Sequence, residues 1–283
     1  MNPLHMLTLS ACLFAPGLRA QSAVAQPLNR VSIEQLRLML KGHGGDWRGD
    51  TDQAKGLPAP PVQKAVPKGG VVVDLVSPGS WVLEGAAMEQ VMQARRSLRS
   101  YSDEGLNLKE LSFLLWHTQG VTHAIRDKAG AVLEHFRATP SGGARHPFET
   151  YLAIQRVAGL EAGIYRYLPL EHKLYRVRVS DALPRELSRA CYGQSFVGEA
   201  PVTFIWAAVP YRTEWKYGYI AHRMIAMEAG HICQNLYLAA TAIGGGTCAV
   251  LGYHQAGMDA LIGVDGKEEF VMYMAPVGKV KTK

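Results

Sequence analysis

The chain has 283 residues, of which 48% are hydrophobic and 19% charged, and a formal net charge of +6. That length and apolar share suffice for one large folded domain or two modest ones, and they exclude a disordered or fibrous chain. The 30 Lys and Arg residues are scattered without a long basic block, which argues against nucleic-acid binding and turns attention to a smaller anionic ligand.

At the N-terminus, residues 4–18 are mostly apolar and Ala23-Val24-Ala25 precedes Gln26, the small-x-small form of a signal-peptidase site. A signal peptide over 1–25 and a periplasmic or secreted protein are therefore expected. Residues 1–18 contain no Lys or Arg, so a start lying further upstream, a lipoprotein box at Leu9-Ser10-Ala11-Cys12 and a cytoplasmic chain remain alternatives. No later run of about 18 apolar residues could span a bilayer. Without Cys12, three cysteines remain, Cys191, Cys233 and Cys248, with no paired spacing. Neither a disulfide framework nor a metal centre is expected, because no CxxC or HExxH occurs and the ten histidines are dispersed.

In chain order, apolar spacing over 32–40 behind Ser32 predicts a short helix, and the Gly- and Pro-rich stretch 42–80 a linker or extended arm. Leu83, Ala87, Val91 and Ala94 recur at helical spacing and would deliver an arginine cluster at the helix end. Asn107 with Glu110 forms a capping-box pattern, opening a helix whose Leu111, Leu114 and Leu115 face inward. Strands are predicted at 149–157, at 163–168 paired with 173–179 across a short turn, and at 202–209, which is apolar on both faces and so central. The longest helix covers 220–243 and stops at Gly244-Gly245-Gly246, and a strand at 270–275 closes the chain. Strands interleaved with helices, with too few crossover units for a doubly wound sheet, give an α+β sandwich. The expected organisation is 1–25 signal, 26–80 arm with its helix, and 81–283 folded domain.

Chemistry concentrates first at Arg95-Arg96-Ser97-Leu98-Arg99, where three guanidinium groups and a hydroxyl form a compact receptor for phosphate. A carbonyl-rich helix C-terminus repels phosphate, so the side chains must hold it. Downstream lie Pro140-Ser141-Gly142-Gly143, then Glu228-Ala-Gly-His231 through Ala240, then Gly244-Gly-Gly-Thr-Cys-Ala-Val-Leu-Gly252. In this order and at these distances, from about Leu57 to Val280, the chain resembles the SagB/ThcOx-type dehydrogenases of the nitroreductase-like FMN-dependent flavoproteins.

The resemblance implies a dimeric nitroreductase-like sandwich with a mixed, mainly antiparallel sheet, and a homodimer with one FMN at each of two subunit interfaces. It assigns Arg95, Arg96, Ser97 and Arg99 to the ribityl phosphate and pyrimidine edge of FMN. It also lays Pro140, Ser141, Gly142 and Gly143 on the isoalloxazine from the partner chain, and the backbone of Ala249, Val250, Leu251 and Gly252 along the flavin, where amides would stabilise charge on the reduced ring. Tyr253-His254-Gln255 departs from the family's more usual aromatic and acidic residues, and Lys279 reads as a surface lysine. Lys216-Tyr217 matches a pair implicated in catalysis in azoline-oxidising relatives, where the ammonium would help form a phenolate or act as base once desolvated. Three functions follow as alternatives. One is an FMN-dependent dehydrogenase removing hydride and proton from a heterocyclic C–N or C–S small-molecule or peptide substrate. The others are an NAD(P)H-dependent nitro or quinone reductase and a non-catalytic flavin-binding subunit among peptide-modifying partner proteins.

Overall fold

The computed structural model describes residues 51–80, 87–130 and 132–281, all within one compact unit. The expected signal peptide over 1–25, the helix over 32–40 and Leu83 lie outside the described residues.

A seven-stranded sheet forms the centre, in the order β1 (Val71–Asp74), β6 (Lys173–Val179), β5 (Gly163–Leu168), β4 (Phe148–Ile154), β7 (Val202–Ala208), β9 (Phe270–Lys279) and β8 (Gly245–Thr247). Every ladder between these strands is antiparallel, so the parallel component of the expected mixed sheet is confined to isolated bridges such as Ser97 to Thr247. The α+β sandwich follows from alternation within the central strands. Along β4, Phe148, Leu152 and Ile154 pack into one core while Tyr151 and Ala153 pack into the other, and along β7 Phe204 and Trp206 oppose Ile205 and Ala207. Both strands are buried over their whole length, as the doubly apolar run 202–209 requires.

One face is covered by α2 (Leu108–Gln119) and the 22-residue α6 (Ala221–Ala242); the other is covered by α3 (Leu183–Ala190), α4 (Ser195–Glu199) and α7 (Gln255–Ile262). The capping box opening α2 is complete, with Asn107 accepting from the Glu110 amide at 2.9 Å and Glu110 accepting from the Asn107 amide at 3.0 Å. Helix α6 stops at Ile243, after which Gly244 turns left-handed at φ +68°. The two glycines beyond continue as β8, a strand the sequence reading treats only as a helix stop. A Cβ on Gly246 would sit 2.5 Å from Leu98, so a side chain there would push away the segment that follows the arginines.

Several elements are additions to the sequence reading. Part of the Gly- and Pro-rich arm is the edge strand β1, paired with β6 from Val71–Arg176 to Asp74–Lys173. Strands β2 (Val121–Arg126) and β3 (Val132–Arg137) pair as a separate bulged two-stranded sheet. Helix α1 (Met88–Ala94) ends with Arg95 as its C-cap, which sets the arginine cluster at a helix end as expected. The seven-residue α5 (Tyr211–Tyr217) carries the Lys-Tyr pair.

Candidate functional site

The predicted residues gather into two clusters. In the first, the chain leaves α1 and runs beside β8, with the Leu98 amide donating to Thr247 O at 2.9 Å. Tyr237 on α6 ties this segment to the next. Its hydroxyl lies 2.9 Å from Ser97 Oγ and accepts the Ala249 amide at 2.9 Å, and its ring centroid lies 5.3 Å from the Arg95 guanidinium. The arginines therefore stand next to the 249–252 segment, although about 150 residues separate them in the chain.

Within this cluster the arginines divide the work. Arg96 folds back to donate to Gln93 O and Arg95 O at 2.9 and 2.7 Å, satisfying carbonyls at the end of α1. Among the described residues no carboxylate pairs with Arg99 or with Arg95, whose guanidinium lies over the Tyr237 ring. The amides divide similarly. Ala249 donates to Tyr237 and Val250 donates to Met274 O at 2.8 Å, whereas the exposed Leu251 and Gly252 amides meet no acceptor among the described residues. Two unpaired guanidinium groups beside two free amides suit a ligand carrying a phosphate and carbonyl or ring-nitrogen acceptors, which is the donor set that FMN requires.

The second cluster surrounds Gly142 and Gly143. The loop after Pro140 makes a 3-10 turn over Gly142–Ala144, with Gly143 left-handed at φ +60°. The Gly142 amide donates to Glu228 Oε1 at 3.0 Å, and Ser141 Oγ accepts the His146 amide at 2.9 Å. A Cβ on Gly143 would lie 2.6 Å from Tyr217 Oη and 2.9 Å from Lys216 Nζ. The close approach that glycine permits here is thus to the chain's own Lys-Tyr pair. The Lys216 ammonium stands 5.8 Å from the Tyr217 ring centroid.

The electrostatics of Tyr217 run against phenolate formation. Burial, with the Glu228 charge adding to it, raises its pKa, and Arg145 only partly opposes them. Burial likewise raises the pKa of Glu228, against the hydrogen bonds from Ser141 and Gly142. The two shifts favour the neutral forms of the Tyr217 phenol and the Glu228 carboxyl in the absence of a substrate.

Two further residues behave differently from their sequence reading. Lys279 is a clasp in the interior: its ammonium pairs with the largely buried Glu110 and donates to Ile243 O at 2.9 Å, closing the end of α6. His254 caps α7 by accepting the Gly257 amide at 3.0 Å, and Tyr253 donates to Val271 O at 3.1 Å, so the unusual residues after Gly252 are structural. Sequence reasoning gave no role to Tyr237 or Glu228, although both belong to a segment quoted for the resemblance. Among the described residues no group of three or more His, Cys, Asp or Glu could hold a metal ion, and no helix is long and apolar enough to cross a membrane.

Comparison with known proteins gives this site its family. MJ1384 of Methanocaldococcus jannaschii, named as a nitroreductase, is 35% identical over 197 residues, covering 70% of this chain and 93% of that protein. The trifolitoxin-processing protein TfxB of Rhizobium leguminosarum bv. trifolii is 32% identical over 152 residues, 49% of this chain and 38% of TfxB. Among solved structures, a nitroreductase-named protein of Ralstonia eutropha superposes with a TM-score of 0.60 at 25% identity, covering 80% of this chain and all of that one. The sequence pattern of the Nitroreductase family matches residues 92–279, a span that contains every predicted site residue, and the chain belongs to that family of oxidoreductases.

Proposed function

We propose that this nitroreductase-family oxidoreductase is an FMN-dependent dehydrogenase of the SagB/ThcOx type, acting on a C–N or C–S heterocycle of a small molecule or peptide. The observation that carries the reading is the convergence of Lys216 Nζ and Tyr217 Oη on Gly143. Simple hydride transfer from a nicotinamide leaves no proton to remove, whereas oxidation of an azoline-like ring does. The processing role in the name of TfxB supports a peptide substrate and peptide-modifying partner proteins.

When bound, FMN supplies the hydride acceptor. Arg95 and Arg99 would hold its phosphate, with the Ser97 hydroxyl beside them, and the Leu251 and Gly252 amides would be free to donate to it. Lys216 stands where it can receive the substrate's proton, and Tyr217 orients the substrate nitrogen or sulfur by hydrogen bonding. The two clusters belong to different sites of a homodimer. Glu228 and Tyr237 anchor them on one helix nine residues apart, which is half a turn around and roughly 13 Å along the axis. Ser141 to Gly143 of one chain then meets the flavin held by Arg95 and Arg99 of the other.

A reductase remains the second reading, favoured by the near full-length match to MJ1384. Rapid mixing of the flavin-loaded protein with a thiazoline-bearing synthetic peptide, and separately with NADH and NADPH, distinguishes them. We expect the peptide to bleach the flavin, and Lys216→Ala or Tyr217→Phe to slow this by about 10² to 10⁴ with flavin content intact. Fast reduction by NAD(P)H, untouched by either substitution, would establish the reductase instead.

A further inference from the structure

Residues 51–65 precede the part of the chain that matches the family, 92–279, yet they are bonded to the helix that carries Lys216 and Tyr217. Three contacts of 2.8 Å make the tie. The Tyr211 hydroxyl donates to Asp52 Oδ2, the Gln53 amide donates to Trp215 O, and Trp215 Nε1 donates to Leu57 O. The segment is itself a closed turn, with the Lys55 amide on Thr51 O at 3.1 Å and the Leu57 amide on Asp52 O at 3.0 Å.

Behind this turn the arm is pinned to buried charge. Arg137 donates to Val62 O at 3.2 Å, Glu149 accepts the Lys64 amide at 2.9 Å, and Arg166 donates to Ala65 O at 2.9 Å. Arg137, Glu149 and Arg166 are all buried, so the arm cannot lift away without uncovering them.

The physical need for the tie lies in α5. A seven-residue helix is too short to be stable alone, and the carbonyls of its last turn have no partner within it. The Trp215 carbonyl, one residue before Lys216, receives its donor from the arm. On the opposite side the Trp215 ring centroid lies 4.7 Å from the Arg145 guanidinium, two residues beyond Gly143. Trp215 is gripped between the arm and the loop that must meet Lys216 and Tyr217.

We propose that residues 51–57 are a positioning strap for the reaction: by holding Trp215 and Tyr211 they fix the last turn of α5, so that Lys216 and Tyr217 stay against Gly143. The proposal rests on the reading of that pair as the proton-handling residues. Asp52, Leu57 and Trp215 then act through Lys216 and Tyr217 and touch no substrate themselves.

The test uses the full chain with Trp215→Phe, which keeps an aromatic but smaller ring and removes the Nε1 donor, and with Asp52→Ala and Asp52→Asn, of which only the second still accepts from Tyr211. Hydrogen–deuterium exchange is read over residues 214–218, and acetic anhydride labelling of Lys216 across pH is read against Lys68 and Lys173. In Trp215→Phe and Asp52→Ala, exchange should rise by about tenfold in α5 and not in α6, and the Lys216 labelling curve should shift while the reference lysines stay put. Asp52→Asn should match the unaltered protein, and the Asp52 pair decides the matter if Trp215→Phe does not fold. Unchanged exchange and labelling in both weakened variants, or a rise spread evenly over the domain, overturns the strap. Faster α5 exchange in a protein whose thiazoline-driven reduction survives Lys216→Ala would overturn the Lys-Tyr reading, and with it any role of the strap in catalysis.

Discussion

The two clusters attached to α6 are built on opposite principles. Around Tyr237 the groups are cationic and largely exposed; the hydroxyl of one tyrosine serves both Ser97 and Ala249, and among the described residues two arginines have no carboxylate partner and two amides no acceptor. Around Glu228 the groups are packed, two glycines sit where a Cβ would collide with Met224, Lys216 and Tyr217, and burial holds Tyr217 and Glu228 toward their neutral forms. The first arrangement spends stability to keep donors available, as a binding site does; the second excludes water and fixes atoms, as a site for proton movement does.

If this division is right, disabling the first cluster should remove the cofactor and spare the fold. Replacing Arg95 and Arg99 together by alanine should weaken FMN binding by about two to four decades, given roughly 1.5 to 3 kcal/mol for each charge-assisted contact. Flavin fluorescence titration measures this, and stoichiometric FMN in the double variant would show that the phosphate lies elsewhere.

A smaller change sharpens the contrast. Tyr237→Phe keeps the ring under Arg95 but strands the Ala249 amide and Ser97 Oγ. We expect FMN affinity to fall by about tenfold, the effect of one or two ordinary hydrogen bonds, with α5 and its Lys-Tyr pair undisturbed in hydrogen exchange. An unchanged dissociation constant would confine Tyr237 to packing.

Acid supplies the last contrast, and its effect should fall on the second cluster. Burial and the positive charges of Arg137, Arg145 and Arg212 push His135 down to about 4. His146 is lowered by burial, with Arg137 and His135 adding to it. Below the ordinary histidine value the unfolded chain binds protons that the folded chain refuses. Stability is therefore full near neutrality and falls as pH drops from about 6.5 toward 4, by at most about 1.4 kcal/mol per pH unit for each ring. His146→Asn suits the left-handed backbone at φ +47° and should remove about half of the acid-induced loss in Tm contributed by this pair. An unaltered Tm-against-pH curve would place the acid sensitivity in other groups.

How much of this was legible before folding depended on the reach of each signal. Asn107 and Glu110 advertise their helix because the capping box is local, and strands 163–168 and 173–179 carry their own turn between them. Helix α5 was illegible because seven residues carry less than two full periods, and its stability comes from Arg145 and an arm about 160 residues away. Strand β1 hides in a Gly- and Pro-rich stretch because four residues are enough to pair with an existing edge. At the site, residue type singled out the arginines and the family resemblance the Lys-Tyr pair, but neither signal carried their orientation. Arg96 turns to its own helix and Ala249 to Tyr237, and both choices depend on contacts invisible along the chain. Lys279 looked exposed because its partner, Glu110, lies 169 residues away.

The short strand β1 has one more consequence. Without it, the seven residues of β6 would present a row of unpaired amides and carbonyls at the border of the sheet, a template for strands of other molecules. With it, the border is a four-residue strand whose last pair is clasped by the Lys173–Asp74 bridge at 2.7 Å, followed by Pro78 and Gly79, which offer little for a neighbour to extend. The chain that straps α5 at residues 51–57 thus runs on to close the border of the sheet at β1.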